Sequence, residues 1–234
     1  MNNEKETALI TGANRGLGLE MARQLVMRGS AVLACVRRPA EAGDLQELAR
    51  AHPGRLSIYG LDVTDGKSIA RARSAIGTRT VDILINNAGV IGPARQSAKD
   101  MDFDGWAYTL AVNTLGPMRI LQAFLDNLRA ASRPRVLNLT SFMDSFSTQG
   151  SDHIAYRSSK AALNRAMRAA AAELADEGIA IALAHPGWAQ TAMGGTSATL
   201  PAADSVRGLI ALIDTLDVGK TGRLFNWDGK EHDW

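Results

Sequence analysis

Short apolar or β-branched runs alternate along the chain with longer stretches whose apolar positions recur at helical spacing. The runs at 8–10, 31–36, 56–59, 81–85, 135–139 and 179–183 predict strands, and 223–225 predicts a weaker seventh. Between them, the stretches 17–27, 45–51, 67–76, 104–130, 155–176 and 203–216 predict helices. Strands that are apolar on both faces and alternate with helices belong to a parallel sheet covered on both sides. The expected architecture is therefore α/β: a single-domain Rossmann fold, with a doubly wound parallel sheet of about seven strands and helices on both faces. With no internal repeat, low-complexity tract or long linker, residues 1–234 read as one domain, its substrate site built from the carboxyl-terminal loops. The segment 194–199 is small and polar and reads as a mobile flap.

Composition narrows the function classes. Apolar residues make up 46% and charged residues 21% of 234 residues, as in an ordinary globular protein. The net charge of +2 comes from interleaved signs with no basic block, which argues against nucleic acid as a partner. No run approaches the roughly 20 apolar residues of a membrane helix. The polar start Met1–Glu6 shows no signal-peptide pattern, so a cytoplasmic, non-membrane protein is expected. The four His residues and one Cys show no metal-ligand spacing, and no metal is expected. Cys35 lies in an apolar run and reads as a core thiol.

Three clusters carry chemistry. The first strand ends in Thr11-Gly12-Ala13-Asn14-Arg15-Gly16-Leu17-Gly18 and opens into a helix. Gly12 suits a tight turn, Gly16 admits backbone N–H groups to a pyrophosphate, and Gly18 lets the helix pack on the strand. A helix N-terminus at that place favours an anion. At the end of the second strand, where an NAD site carries an acidic residue, the chain reads Cys35-Val36-Arg37-Arg38-Pro39. Arg37, with Arg15 from the turn, suits a 2′-phosphate, so NADP(H) is preferred over NAD(H). Finally, Tyr156 and Lys160 share a helix face at i and i+4, and a nearby cation lowers a phenol's pKa toward neutrality. Tyr156 is then a candidate general acid/base for a hydroxyl/carbonyl pair. Taken alone, that pair fits a surface helix equally well.

Together these motifs resemble the short-chain dehydrogenase/reductase family across essentially the whole chain. The resemblance rests on the glycine turn, Asp62-Val63, Asn86-Asn87-Ala88-Gly89, Asn113, Ser141, Tyr156-x-x-x-Lys160 and Pro186-Gly187, in the family's order. The ending from Gly222, with His185-Pro186-Gly187-Trp188 and Met193-Gly194-Gly195, is similar to the C-factor-like branch. The resemblance implies an NADP(H)-dependent oxidoreductase that moves hydride between nicotinamide and a carbonyl/alcohol pair. Its implied catalytic set is Asn113, Ser141, Tyr156 and Lys160. Tyr156 would exchange the proton, Lys160 would bond the nicotinamide ribose and tune Tyr156, and Ser141 would polarise the carbonyl. Asn113 would interrupt its helix and hold a relay water. The implied cofactor set is Gly12, Asn14, Arg15, Gly16, Leu17, Gly18, Arg37, Asp62, Val63, Asn87, Ala88, Gly89, Pro186, Gly187 and Thr191, with Tyr156 and Lys160. Thr140 and Ser145 are the competing hydroxyls beside Ser141.

Candidate substrate residues are Phe142, Met143, Phe146, His153, Trp188 and Met193, each of which also reads as packing or loop surface. The expected partner is a small carbonyl or alcohol compound. By resemblance, the chain assembles as a homodimer or homotetramer through the long helices. The alternative function is a cofactor-binding signalling or regulatory protein in which catalysis is secondary.

Overall fold

The computed structural model describes residues 6–144 and 150–232. Among the described residues, eight strands form one sheet in the order β3-β2-β1-β4-β5-β6-β7-β8. They are β1 (Thr7–Thr11), β2 (Ala31–Val36), β3 (Leu56–Gly60), β4 (Ile83–Asn86), β5 (Arg135–Leu139), β6 (Ala180–His185), β7 (Leu224–Asn226) and β8 (Glu231–His232). The first seven run parallel, as the apolar runs predict; β8 adds an antiparallel edge of two residues. So short a strand has no periodicity to read.

Alternation along each strand divides the core. Ala8 and Ile10 of β1, with Val32, Ala34 and Val36 of β2, meet α1 (Gly16–Met27), α2 (Gly43–Ala51) and α8 (Ala202–Thr215). Leu9, Leu33 and Cys35 face α3 (Gly66–Ile76), α5 (Gly116–Ala123) and α7 (Ile154–Leu174) on the opposite side. The doubly wound, two-faced sheet is thus the observed fold. Truncating a fully buried side chain such as Leu84 to Ala would cost about 2–5 kcal/mol. Cys35 is a core thiol, 1% exposed, and burial pushes its pKa up to about 12, so it does not act as a nucleophile.

The stretch expected as one helix over 104–130 is broken. It comprises α4 (Phe103–Leu110), a π turn at Ala111–Leu115, α5, and α6 (Leu125–Arg129). Pro117 has no N–H for the carbonyl four residues back, at Asn113, and its ring crowds that carbonyl. The break therefore falls where Asn113 sits. Strand order reverses between β1 and β4, which opens a crevice beyond their carboxyl ends.

Candidate active site

The glycine turn follows β1 at that crevice. Gly12 and Gly16 adopt positive φ (67° and 55°), which L side chains rarely adopt. Close approach governs Gly18: an added Cβ would lie 2.3 Å from the Gly12 carbonyl oxygen and 2.4 Å from Asn87 Nδ2. Asn87 braces the turn by donating from Nδ2 to the carbonyls of Thr11 (2.8 Å) and Gly12 (3.0 Å). The Thr11 hydroxyl accepts from the N–H groups of Asn87 and Ala88. The N-cap residue Arg15 makes no side-chain capping bond to α1, and the helix's positive end faces the cavity lined by Asn14, Arg15, Gly16 and Leu17.

Beside the turn, whose Gly12 N–H donates to the Cys35 carbonyl at 2.9 Å, Arg37 donates from Nη1 to the Tyr108 hydroxyl at 3.0 Å, joining the end of β2 to α4. Neighbouring Arg38 pairs instead with Glu41 at 3.1 Å. Asp62 and Val63 line the wall beyond β3, and the Asp62 carboxylate accepts from the Thr64 N–H (2.8 Å) and hydroxyl (2.7 Å). Arg37 and Arg15 both line the cavity, and two guanidinium groups on one wall suit an anionic group.

Tyr156 and Lys160, 8% and 6% exposed, occupy the first two turns of α7 and line the same cavity. Lys160 Nζ lies 5.9 Å from the centre of the Tyr156 ring and donates to the Leu139 carbonyl at 2.7 Å. This contact anchors the ammonium at the end of β5, beside the Tyr156 ring. Fully buried Asn113 stands behind them. Its Oδ1 accepts from Val90 N–H (2.9 Å), and its Nδ2 donates to Val90 O (2.8 Å) and Ser159 Oγ (2.9 Å). Asn113 thus fastens the π turn to the loop after β4 and to α7.

The cavity encloses about 510 Å³ and brings together most of the expected residues: Gly12, Asn14, Arg15, Gly16 and Leu17 of the turn, Arg37, Asp62, Val63, Asn87, Ala88, Gly89, Tyr156, Lys160, Pro186, Thr191 and Met193. Four lie just behind the lining: Gly18 and Gly187, packed too closely for a side chain, Asn113, and Ser141. Ser141 follows Thr140, which lines the wall, and its hydroxyl accepts from Met143 N–H at 3.2 Å. Tyr108, Val90, Ile91 and Ala192 also line the cavity; nothing in their local sequence marks them.

Of the substrate candidates, Met193 alone reaches this cavity among the described residues; Phe146 lies outside them. Phe142 packs between the rings of His185 (4.0 Å) and His232 (4.3 Å). Its N–H donates to His185 Nδ1 at 3.3 Å. Burial, with a smaller contribution from His232, lowers the His185 pKa to about 4. Met143 holds Arg157 through its carbonyl at 2.8 Å. His153, at φ 54°, precedes α7 and turns its ring to Asp152 at 2.9 Å. Trp188 is 54% exposed and donates to the Gly194 carbonyl at 2.8 Å. That contact, with backbone pairing of Gln190 and Leu200, ties down the segment expected as a flap. Among the described residues, no helix is long and apolar enough to cross a membrane, and no group of three or more His, Cys, Asp and Glu could hold a metal ion.

Comparison with known proteins agrees with this geometry. A family model described as short chain dehydrogenase matches residues 6–200. C-signal of Myxococcus xanthus is 47% identical over 159 residues, 67% of this chain and 95% of the relative. The structure of an NADPH-bound carbonyl reductase from chicken fatty liver superposes with a TM-score of 0.92 at 32% identity, covering 98% of this chain and 99% of the other. A carbonyl reductase from Pseudomonas aeruginosa in complex with NADP gives 0.86 at 31% identity, covering 99% and 100%.

Proposed function

We propose that this chain, which belongs to the short-chain dehydrogenase family, is an NADP(H)-dependent oxidoreductase acting on a carbonyl/secondary-alcohol pair, with Tyr156 as general acid/base. One observation carries the reading: Tyr156 and Lys160 lie side by side in the cavity whose far end is the glycine turn and Arg37. The residues present fit a dinucleotide. Gly12 and Gly18 leave no room for a Cβ, so backbone forms the floor, and the open N-terminus of α1 complements a pyrophosphate. Arg37 and Arg15 complement a 2′-phosphate. The two carbonyl reductase structures hold NADPH and NADP, which supports the same choice here.

Bound there, the nicotinamide supplies the hydride chemistry. The chain's own residues orient the reactants and move the proton. Tyr156 donates its phenolic proton to the carbonyl oxygen in reduction and accepts one from the alcohol in oxidation. Lys160, fixed by Leu139, stabilises the phenolate left behind and would hydrogen-bond the cofactor's ribose. Ser141 donates its hydroxyl hydrogen to the substrate oxygen while still accepting from Met143. Residues 1–234 act as one cofactor-binding domain in this scheme. The test is NADPH oxidation with a panel of aldehydes, ketones and diketones, comparing wild type with Tyr156→Phe; equal rates would remove Tyr156 from the mechanism.

The 47% identity to C-signal supports a second reading, a signalling or regulatory role for the cofactor-bound protein. It predicts a signalling phenotype that survives Tyr156→Phe, and loss of the phenotype with that substitution would count against it.

A further inference from the structure

The helix that carries Tyr156 begins without a cap of its own. His153 precedes it in a left-handed conformation and makes no capping bond. An uncapped first turn leaves backbone N–H groups without partners, a cost when they are buried. Here a residue sixty positions earlier supplies the partners. Gln96, 9% exposed, accepts from Ile154 N–H through its backbone carbonyl (3.3 Å) and from Tyr156 N–H through Oε1 (3.3 Å). The same amide turns its Nε2 the other way, donating to the carbonyls of Ile91 (3.1 Å) and Pro93 (2.9 Å). Ile91 and Gly92 line the cofactor cavity, continuing from Gly89 and Val90. Gly92, at φ 97°, lies so close that an added Cβ would come within 3.0 Å of Gln96 Oε1.

We propose that Gln96 is a positioning residue for the reaction, capping the Tyr156 helix from another segment and locking it to the segment Ile91–Pro93, whose first two residues line the cavity, so that proton donor and cofactor wall hold one geometry. The catalytic part rests on the function proposed above; the linkage itself does not. A carboxamide is suited to this place because it presents an acceptor to the helix and two donors to the loop. A carboxylate would keep only the acceptor, and a thioether would keep neither.

The experiment compares wild type, Gln96→Met and Gln96→Glu by hydrogen exchange, NADPH binding and steady-state kinetics with the best carbonyl of the panel. In Gln96→Met, amide exchange over 154–160 should accelerate about five- to tenfold, with α8 peptides unchanged, as expected for one lost hydrogen bond. Its kcat should fall about ten- to a hundredfold from a misplaced donor, with KM for NADPH within about threefold of wild type. Gln96→Glu should restore slow exchange over 154–160 and part of kcat. Unchanged exchange in Gln96→Met, or a kcat loss explained entirely by the unfolded fraction, would overturn the proposal. If Gln96→Met does not fold, wild-type kcat in Gln96→Glu together with undisturbed exchange over 90–93 would overturn it equally. A wild type that neither binds NADPH nor turns over any carbonyl would refute the function, while the exchange comparison would still decide the linkage.

Discussion

Replacing Arg37 by Asp should reverse the cofactor preference. The guanidinium stands at the end of β2, where its Nη1 donates to Tyr108 at 3.0 Å and its other N–H groups can meet a 2′-phosphate. A charge-assisted hydrogen bond contributes about 1.5–3 kcal/mol. Arg37 is exposed, so solvent screening brings the net term toward about 1–2 kcal/mol, or roughly five- to thirtyfold in Kd. Asp adds repulsion of similar size against the phosphate and provides an acceptor for the 2′-hydroxyl of NADH. The NADPH-over-NADH ratio should therefore fall by about a hundredfold, mainly through weaker NADPH binding. Fluorescence titration with both cofactors reads the ratio directly, and 2′,5′-ADP against 5′-AMP isolates the phosphate. The wild-type preference should itself shrink in salt, because the screening length drops from about 10 Å at 0.1 M to about 3 Å at 1 M. Tyr108→Phe should move the ratio in the same direction by only about two- to fivefold, since it loosens Arg37 without removing it. An unchanged ratio in Arg37→Asp would refute the role given to this side chain.

Three further substitutions test the framework. Gly18→Ala places a methyl 2.3 Å from the Gly12 carbonyl oxygen and should cost about 1–3 kcal/mol in urea unfolding while weakening NADPH binding; wild-type stability would contradict the packing. Asn113→Ala strips both partners from the Val90 backbone and should cost about 3 kcal/mol, with faster exchange at Val90; a neutral result would sever the π turn from the loop. His185 is held near pKa 4 against an ordinary 6.5, so the unfolded chain binds the extra proton and stability falls as pH drops through that window. The loss is at most about 3 kcal/mol, less for the hydrated part of the ring. His185→Phe should flatten the pH 7 to pH 4.5 difference in urea midpoint; an identical slope would place that titration elsewhere.

The sheet was legible because both faces of its strands are apolar: runs such as Ala31–Val36 admit little else once helices alternate with them. The glycine turn was legible because Gly12 and Gly18 answer local demands, a positive φ and a 2.3 Å approach. The break at Ala111–Leu115 was legible only in part, since Pro117 is local but the Asn113–Val90 pairing spans 23 residues. Gln96 and Tyr108 gave no local signal, because each acts on a distant segment, Tyr156 and Arg37 respectively. From its place in the loop after β5, Phe142 reads equally as a substrate contact or as packing, and only the fold shows that two imidazoles arriving from β6 and β8 flank its ring. Loop position gives proximity to a site; the contacts that turn a side chain toward or away from it come from elsewhere in the fold.

The central claim is that Tyr156 transfers the proton while the rest of the cavity holds NADP(H). It is tested most directly by measuring NADPH binding and carbonyl-dependent NADPH oxidation side by side in wild type and Tyr156→Phe. The account predicts NADPH affinity within about threefold of wild type, since only a hydroxyl is lost, and a fall in kcat of at least about a hundredfold. Undiminished turnover in a folded, cofactor-binding Tyr156→Phe would contradict it.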